Sequence, residues 1–120
     1  MKILVVEDDY MMIRAIEHKL KSEGYVVDAA SDGNQASEMI SQTDYDLIIT
    51  DILMPFVGGF ELINKIRNEL HLKTPIIVLS SLSNEDSIIE AFKLGADDYV
   101  TKPFSPKEVS IRVKRFLINK

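Results

Sequence analysis

The sequence predicts an α/β fold built on one doubly wound, five-stranded parallel sheet with helices on both faces. Three observations lead there. Five short apolar runs recur along the chain, and Val and Ile dominate four of them. A stretch with apolar residues three and four apart, the period of a helix, follows each run. The runs barely alternate apolar with polar, the pattern of central strands covered on both sides. Strand and helix in alternation imply parallel strands joined by right-handed crossovers.

The first run, Ile3–Val6, ends at Glu7-Asp8-Asp9, and Ile13, Ile16 and Leu20 mark the helix after it. Gly24 sits where a C-terminal cap belongs. The second run is Tyr25–Ala30, followed by a shorter helix marked by Ala36, Met39 and Ile40. The third is Leu47–Thr50, and its helix carries Ile63, Ile66 and Leu70. The fourth, Ile76–Leu79, leads to Ile88 and Ala91 and a capping Gly95. The fifth is Tyr99–Thr101. Ser105 is an N-cap and Pro106 a first-turn residue for the last helix, which carries Val109, Val113 and Phe116. Five strands in 120 residues fit the flavodoxin-like order 2-1-3-4-5 in a single domain, 1–120.

Composition narrows the function. Apolar residues make up 46% and charged residues 28%, an ordinary globular balance. Fourteen Lys and Arg against nineteen Asp and Glu leave −5, a poor balance for gripping nucleic acid or an anionic membrane. The absence of cysteine removes disulfides, thiolate metal sites and a thiol nucleophile. Ile3–Val6 is too short for a signal-peptide core or a membrane span, so a cytoplasmic location is expected.

In such folds the ligand lies beyond the carboxyl ends of the strands, where the strand order reverses. Glu7, Asp8 and Asp9 follow the first strand, Asp51 the third, Ser80 and Ser81 the fourth, Lys102 and Pro103 the fifth. Neighbouring strands lie about 4.8 Å apart, so Asp51 and at least one strand-1 acid share a small pocket. Two carboxylates about 5 Å apart repel by roughly 3 kcal/mol at an effective dielectric near 20. Such a group persists through partial protonation or a cation. Hard oxygen ligands select a hard ion: Mg²⁺ first, then Mn²⁺ or Ca²⁺. Lys102 adds an ammonium and Ser80 a hydroxyl. Carboxylate, divalent metal, ammonium and hydroxyl together suit phosphoryl transfer, with an acyl phosphate on an aspartate as product. No G-x-x-x-x-G-K-[ST] or G-x-G-x-x-G loop is present, so a nucleotide site of either kind is not expected.

The motifs also resemble the receiver domains of bacterial two-component response regulators, the CheY-like fold. The resemblance runs through Ile3-Leu4-Val5-Val6-Glu7-Asp8-Asp9, Asp51-Ile52-Leu53-Met54-Pro55, Gly59, Gly95-Ala96-Asp97-Asp98-Tyr99 and Lys102-Pro103-Phe104. It implies that Asp51 is the phospho-acceptor and that Asp8, Asp51 and the Leu53 backbone carbonyl ligate Mg²⁺, with Glu7 completing the acidic pair from behind these ligands or through water. It further implies that Lys102 contacts the phosphoryl group, that Ser80 and Tyr99 form the conformational switch, and that Lys102-Pro103 is cis. The partner it implies is a sensor histidine kinase, and the responsive surface is helix 4, strand 5 and helix 5. The last third is most similar to receivers of the winged-helix transcription-factor class. Asp97, Asp98, Glu108 and Arg112 fit the charged pairs with which that class forms phosphorylation-favoured homodimers. An effector domain in a longer chain is a further expectation of the resemblance. The domain is then a switch that catalyses only its own phosphorylation and dephosphorylation. The competing readings are a phosphorylation-independent module of the same fold and a Mg²⁺-dependent phosphohydrolase with an aspartyl-phosphate intermediate. For the latter, Leu53 stands where a second Asp acts as general acid.

The chain departs from the family pattern in places. Phe56-Val57-Gly58-Gly59 lacks the usual Asp before Gly59, and Phe56 is an expected exposed contact. Ser81 supplies a second hydroxyl beside Ser80, and Ile88 stands where a basic residue is common. Leu53 and Leu82, two residues beyond Asp51 and Ser80, offer no hydrogen bond to an attacking water, so slow self-dephosphorylation is expected. His18 and His71 are isolated and assigned no metal. Lys107, Arg112, Lys114, Arg115 and Lys120 make the last helix basic without interleaved aromatics, a solvated face rather than a nucleic-acid surface.

Overall fold

In the computed structural model, residues 1–54 and 57–118 are described. The elements are β1 (Lys2–Val6), α1 (Tyr10–Ser22), β2 (Val26–Ala30), α2 (Gly33–Gln42), β3 (Leu47–Asp51), α3 (Gly59–Asn64), β4 (Ile76–Ser80), α4 (Glu85–Leu94), β5 (Asp98–Thr101) and α5 (Pro106–Leu117). A π-helical turn, Lys65–Glu69, continues α3. The five strands are parallel and ordered β2-β1-β3-β4-β5, as the sequence predicts. No helix among the described residues is long and apolar enough to cross a membrane.

The two-residue period of each strand splits the core between the two faces of the sheet. Ile3, Val5, Leu47, Ile49, Ile77 and Leu79 meet Ile16 and Leu20 of α1 and Val109, Val113 and Leu117 of α5. Leu4, Val6, Ile48, Ile76 and Val78 meet Ala36 and Ile40 of α2, Leu62 and Ile63 of α3, and Ala91 of α4. Every residue of β3 and β4 is buried, which explains their unbroken apolar runs.

The caps follow local chemistry. Asp9 accepts from the Met11 and Met12 N–H groups to start α1, and Ser105 accepts from Glu108 N–H to start α5, with Pro106 next. Gly24 and Gly95 end α1 and α4 at φ +94° and +119°, the left-handed region that favours glycine.

Some boundaries differ from expectation. Tyr25 is not in β2, because its N–H still bonds to Leu20 O at the end of α1. β3 reaches Asp51, β4 reaches Ser80 and β5 begins at Asp98, each one residue more than the apolar runs. Backbone pairing continues through a polar residue that an apolar count leaves out. α2 spans ten residues, longer than its three apolar markers, because Asp32 caps it through Gln35 N–H.

Candidate functional site

The register sets the site. Val6 pairs with Thr50 and Asp51 with Leu79, so the last residues of β1, β3 and β4 end side by side. Glu7 follows β1 at once, its N–H bonded to Ala30 O, and is 2% exposed. Asp51 is the last residue of β3 and is 5% exposed. Glu7, Asp8 and Asp51 each offer a carboxylate oxygen within 4.8 Å of the others. Asp9 is spent on the α1 cap.

Lys102 enters from beyond β5. Its N–H bonds to Ser80 O at 2.8 Å and its peptide with Pro103 is cis. Its Nζ donates to Asp51 Oδ2 at 2.9 Å and to Glu7 Oε1 and Oε2 at 3.2 and 3.1 Å. The other Asp51 oxygen, Oδ1, accepts from the Ile52 and Leu53 N–H groups at 2.6 and 3.2 Å. Both oxygens of the carboxylate are therefore held from different sides, and it cannot turn freely.

The charges do not balance. Three carboxylates face one ammonium. Burial, and then the charge of Asp51, push the Glu7 carboxyl from its ordinary 4.5 up to about 7, and the Lys102 bond offsets only part of this. Burial by itself would lower the Lys102 ammonium, but its bonds to Asp51 and Glu7 and their charges raise it overall. The surplus negative charge and the all-oxygen donor set fit a hard divalent cation.

Ser80 is fully buried, and its Oγ accepts from Leu82 N–H at 3.1 Å rather than reaching the acidic group. The hydroxyl of Tyr99 donates to Leu82 O at 2.5 Å, so the ring is seated on the loop after β4. The backbone of a single residue, Leu82, thus touches both residues assigned to the switch, Ser80 through its N–H and Tyr99 through its carbonyl. Leu53 is 52% exposed. Phe56, the expected exposed contact, lies outside the described residues, as does Lys120. Neither His18 nor His71 belongs to the acidic group.

The charged residues near β5 divide in two. Asp98 takes Arg112 through both oxygens at 2.8 and 2.9 Å, and Arg112 lies 3.8 Å from Glu108. Asp97 is separate from them. Its carboxylate accepts from Arg67 Nη2 at 3.0 Å and from Ile76 N–H at 2.9 Å, commitments within the chain that grouping it with Arg112 does not anticipate.

Sequence reasoning missed two glycine contacts. A Cβ on Gly59 would lie 2.2 Å from Asp51 O, and one on Gly33 would lie 2.4 Å from Val57 O. Both bear on the loop that leaves Asp51. The only signal in the sequence is a glycine directly before or inside a helix start, where caps also put glycine.

Comparison with known proteins gives one answer. Residues 3–114 match the family described as response regulator receiver domain. The transcriptional regulatory protein ResD of Bacillus subtilis is 40% identical over 116 residues, covering 97% of this chain and 48% of ResD. The transcriptional regulatory protein SrrA of Staphylococcus aureus is 38% identical, covering 97% of this chain and 47% of SrrA. The chain spans about half the length of these curated relatives. Among solved structures, the receiver domain of the Francisella response regulator 1452 superposes with a TM-score of 0.92 at 37% identity, over 98% of this chain and 97% of that one. The response regulator TrrA of Thermotoga maritima, solved in complex with Mg²⁺-BeF, does so with 0.85 at 34% identity, over 97% and 98%. Motif order, strand order and these likenesses agree that the chain belongs to the response regulator receiver domain family of two-component signal transduction.

Proposed function

We propose that Asp51 accepts a phosphoryl group from the phosphohistidine of a partner sensor histidine kinase in a Mg²⁺-dependent reaction. We propose further that the resulting acyl phosphate changes the surface formed by α4, β5 and α5. The observation that carries this is the buried Asp51 carboxylate, gripped by two backbone amides and Lys102 beside two further acids. An Asp51 oxygen attacks phosphorus, the P–N bond breaks, its electron pair returns to the imidazole, and a P–O bond closes the anhydride. Lys102 supplies positive charge beside the phosphoryl oxygens, and the Ile52 and Leu53 amides hold the Asp51 carboxylate in position through Oδ1. Asp8, Asp51 and the Leu53 carbonyl would hold Mg²⁺ (Mn²⁺ as a substitute), with Glu7 behind these ligands or acting through water. The chemistry such an ion supplies is neutralisation of the transferring phosphoryl oxygens.

The new phosphoryl group competes for Lys102 and for the Ser80 hydroxyl. When Ser80 turns, Leu82 N–H loses its acceptor, and the Leu82 carbonyl that holds Tyr99 moves with it. This is a local charge event read out by a two-state element. The output is transcriptional in this reading, as in the named relatives, through an effector domain in a longer cytoplasmic protein. Asp98, Glu108 and Arg112 would re-pair across a homodimer that phosphorylation favours. The domain does not itself bind nucleic acid. Leu53 and Leu82 leave the attacking water unassisted, and decay of labelled phospho-protein in Mg²⁺ buffer is expected to be slow; loss within seconds contradicts this.

The test is incubation with acetyl phosphate and Mg²⁺ followed by intact mass measurement. One phosphoryl group is expected on the wild type and none on Asp51→Asn. Equal labelling of both, or no labelling of either, defeats the reading.

Proton and metal compete at Glu7. Between about pH 4.5 and 7 the folded chain holds a proton there that the unfolded chain has released, so metal-free stability falls as pH rises across that window. The full effect is on the order of 3 kcal/mol. Mg²⁺ affinity is expected to rise over the same window, as the proton leaves. Thermal unfolding at pH 5.5 and 8, with chelator and with Mg²⁺, checks both signs. Glu7→Gln is expected to flatten both dependences.

A further inference from the structure

Arg67 leaves the π-helical turn and ties three segments together. Its Nε donates to Gly95 O at 3.1 Å, one Nη to Leu72 O at 2.7 Å, and the other to the Asp97 carboxylate at 3.0 Å. The turn is the reason it can. Leu70 N–H bonds back five residues to Lys65 O, and this wider turn keeps Ile66 buried while Arg67 reaches the α4–β5 connection. The stem of Arg67 lies over Gly95, where an added Cβ would meet its side chain at 2.7 Å. Gly95 is therefore fixed twice, by φ +119° and by lack of room. Asp97 carries the tie onward, since its carboxylate also accepts Ile76 N–H and its own N–H bonds to Ile76 O. The carboxyl end of α4 is thereby fastened to α3 and β4.

Among the described residues, the amino end of α4 has no such fastening. Asn84 caps it with no side-chain bond, and Ala91 is the helix's one buried residue. Residues 85–90 are exposed or half-buried. The loop before α4 is the one that Ser80 and Tyr99 both touch, through Leu82. A helix fastened at one end and loose at the other responds by swinging from the loose end.

We propose that Arg67 is the fixed hinge of the responsive surface, a positioning residue that confines the movement of α4 to its amino end. This rests on the reading of Asp51 as the modified residue. Amide hydrogen exchange tests it on the wild type, Arg67→Gln and Asp97→Asn, each without and with Mg²⁺ and beryllofluoride as a phosphoryl mimic. Asp97→Asn keeps an oxygen for Ile76 N–H, and serves if Arg67→Gln does not fold. In the wild type the mimic is expected to alter exchange at residues 82–90 and leave 94–98 unchanged. In the variants, 94–98 should exchange about tenfold faster, and the response should spread into them. A wild-type response centred on 94–98 overturns the hinge. So do variants that exchange like the wild type there, and variants that loosen 94–98 yet still confine the response to 82–90. A wild type that does not respond at all defeats the Asp51 reading, and the hinge falls with it.

Discussion

Lys102→Ala is expected to lower the stability of the metal-free domain by about 2–4 kcal/mol at pH 8, and Mg²⁺ is expected to restore much of it. Removing one partner of a buried ion pair strands the other, a loss of about 3–5 kcal/mol in full burial. The range here is lower because the Lys102 side chain keeps 18% exposure. What it strands is the Glu7–Asp51 pair, whose side chains are 2% and 7% exposed. The effect should shrink at pH 5.5, where Glu7 holds a proton and the repulsion is already relieved. A dication replaces the missing ammonium electrostatically, hence the rescue. Thermal melts at two pH values, with and without Mg²⁺, measure all of this. An unchanged melting temperature for Lys102→Ala at pH 8 in chelator would mean that the ammonium does not hold the acids together.

Gly59→Ala carries the second large effect. The new methyl would sit 2.2 Å from Asp51 O and 2.7 Å from Ile52 Cα, both backbone atoms that cannot rotate away. Overpacking of this kind typically costs about 1–3 kcal/mol, and backbone neighbours put this case at the upper end. The strand end must shift, taking with it the Ile52 and Leu53 amides that hold Asp51 Oδ1. Phosphorylation by acetyl phosphate is expected to slow together with the loss of stability. Gly24→Ala is the control. Nothing lies within 4 Å of its Cβ, so only the positive φ penalises it. It should lose about 1 kcal/mol from backbone strain and label at the wild-type rate. Equal labelling rates for the two variants would separate Gly59 from the site.

The layout of the sheet is legible in the sequence because its signals are local and redundant. Ile3–Val6 and Ile76–Leu79 are apolar without interruption because both faces are covered, and each is punctuated by a polar residue at its carboxyl end. That punctuation also marks the site, since parallel strands bring all their carboxyl ends to one edge. Glu7, Asp8, Asp51 and Lys102 meet for that reason. What stays hidden depends on contacts across the chain. Gly59 reads as a helix-start glycine until Asp51 O is found beneath it. Asp97 and Asp98 are adjacent and chemically identical, yet one turns to Arg67 and the other to Arg112. The π-helical turn has no periodic signature in five residues, and without it Arg67 reads as one more exposed charge on a helix.

Residue 51 can be identified as the acceptor chemically. Borohydride reduces an aspartyl phosphate to homoserine and leaves a free carboxylate alone. After treatment with acetyl phosphate and Mg²⁺, reduction and peptide mapping, homoserine is expected at position 51 and nowhere else. Homoserine at Asp8 or Asp9, or none under conditions that add a phosphoryl group, would contradict it.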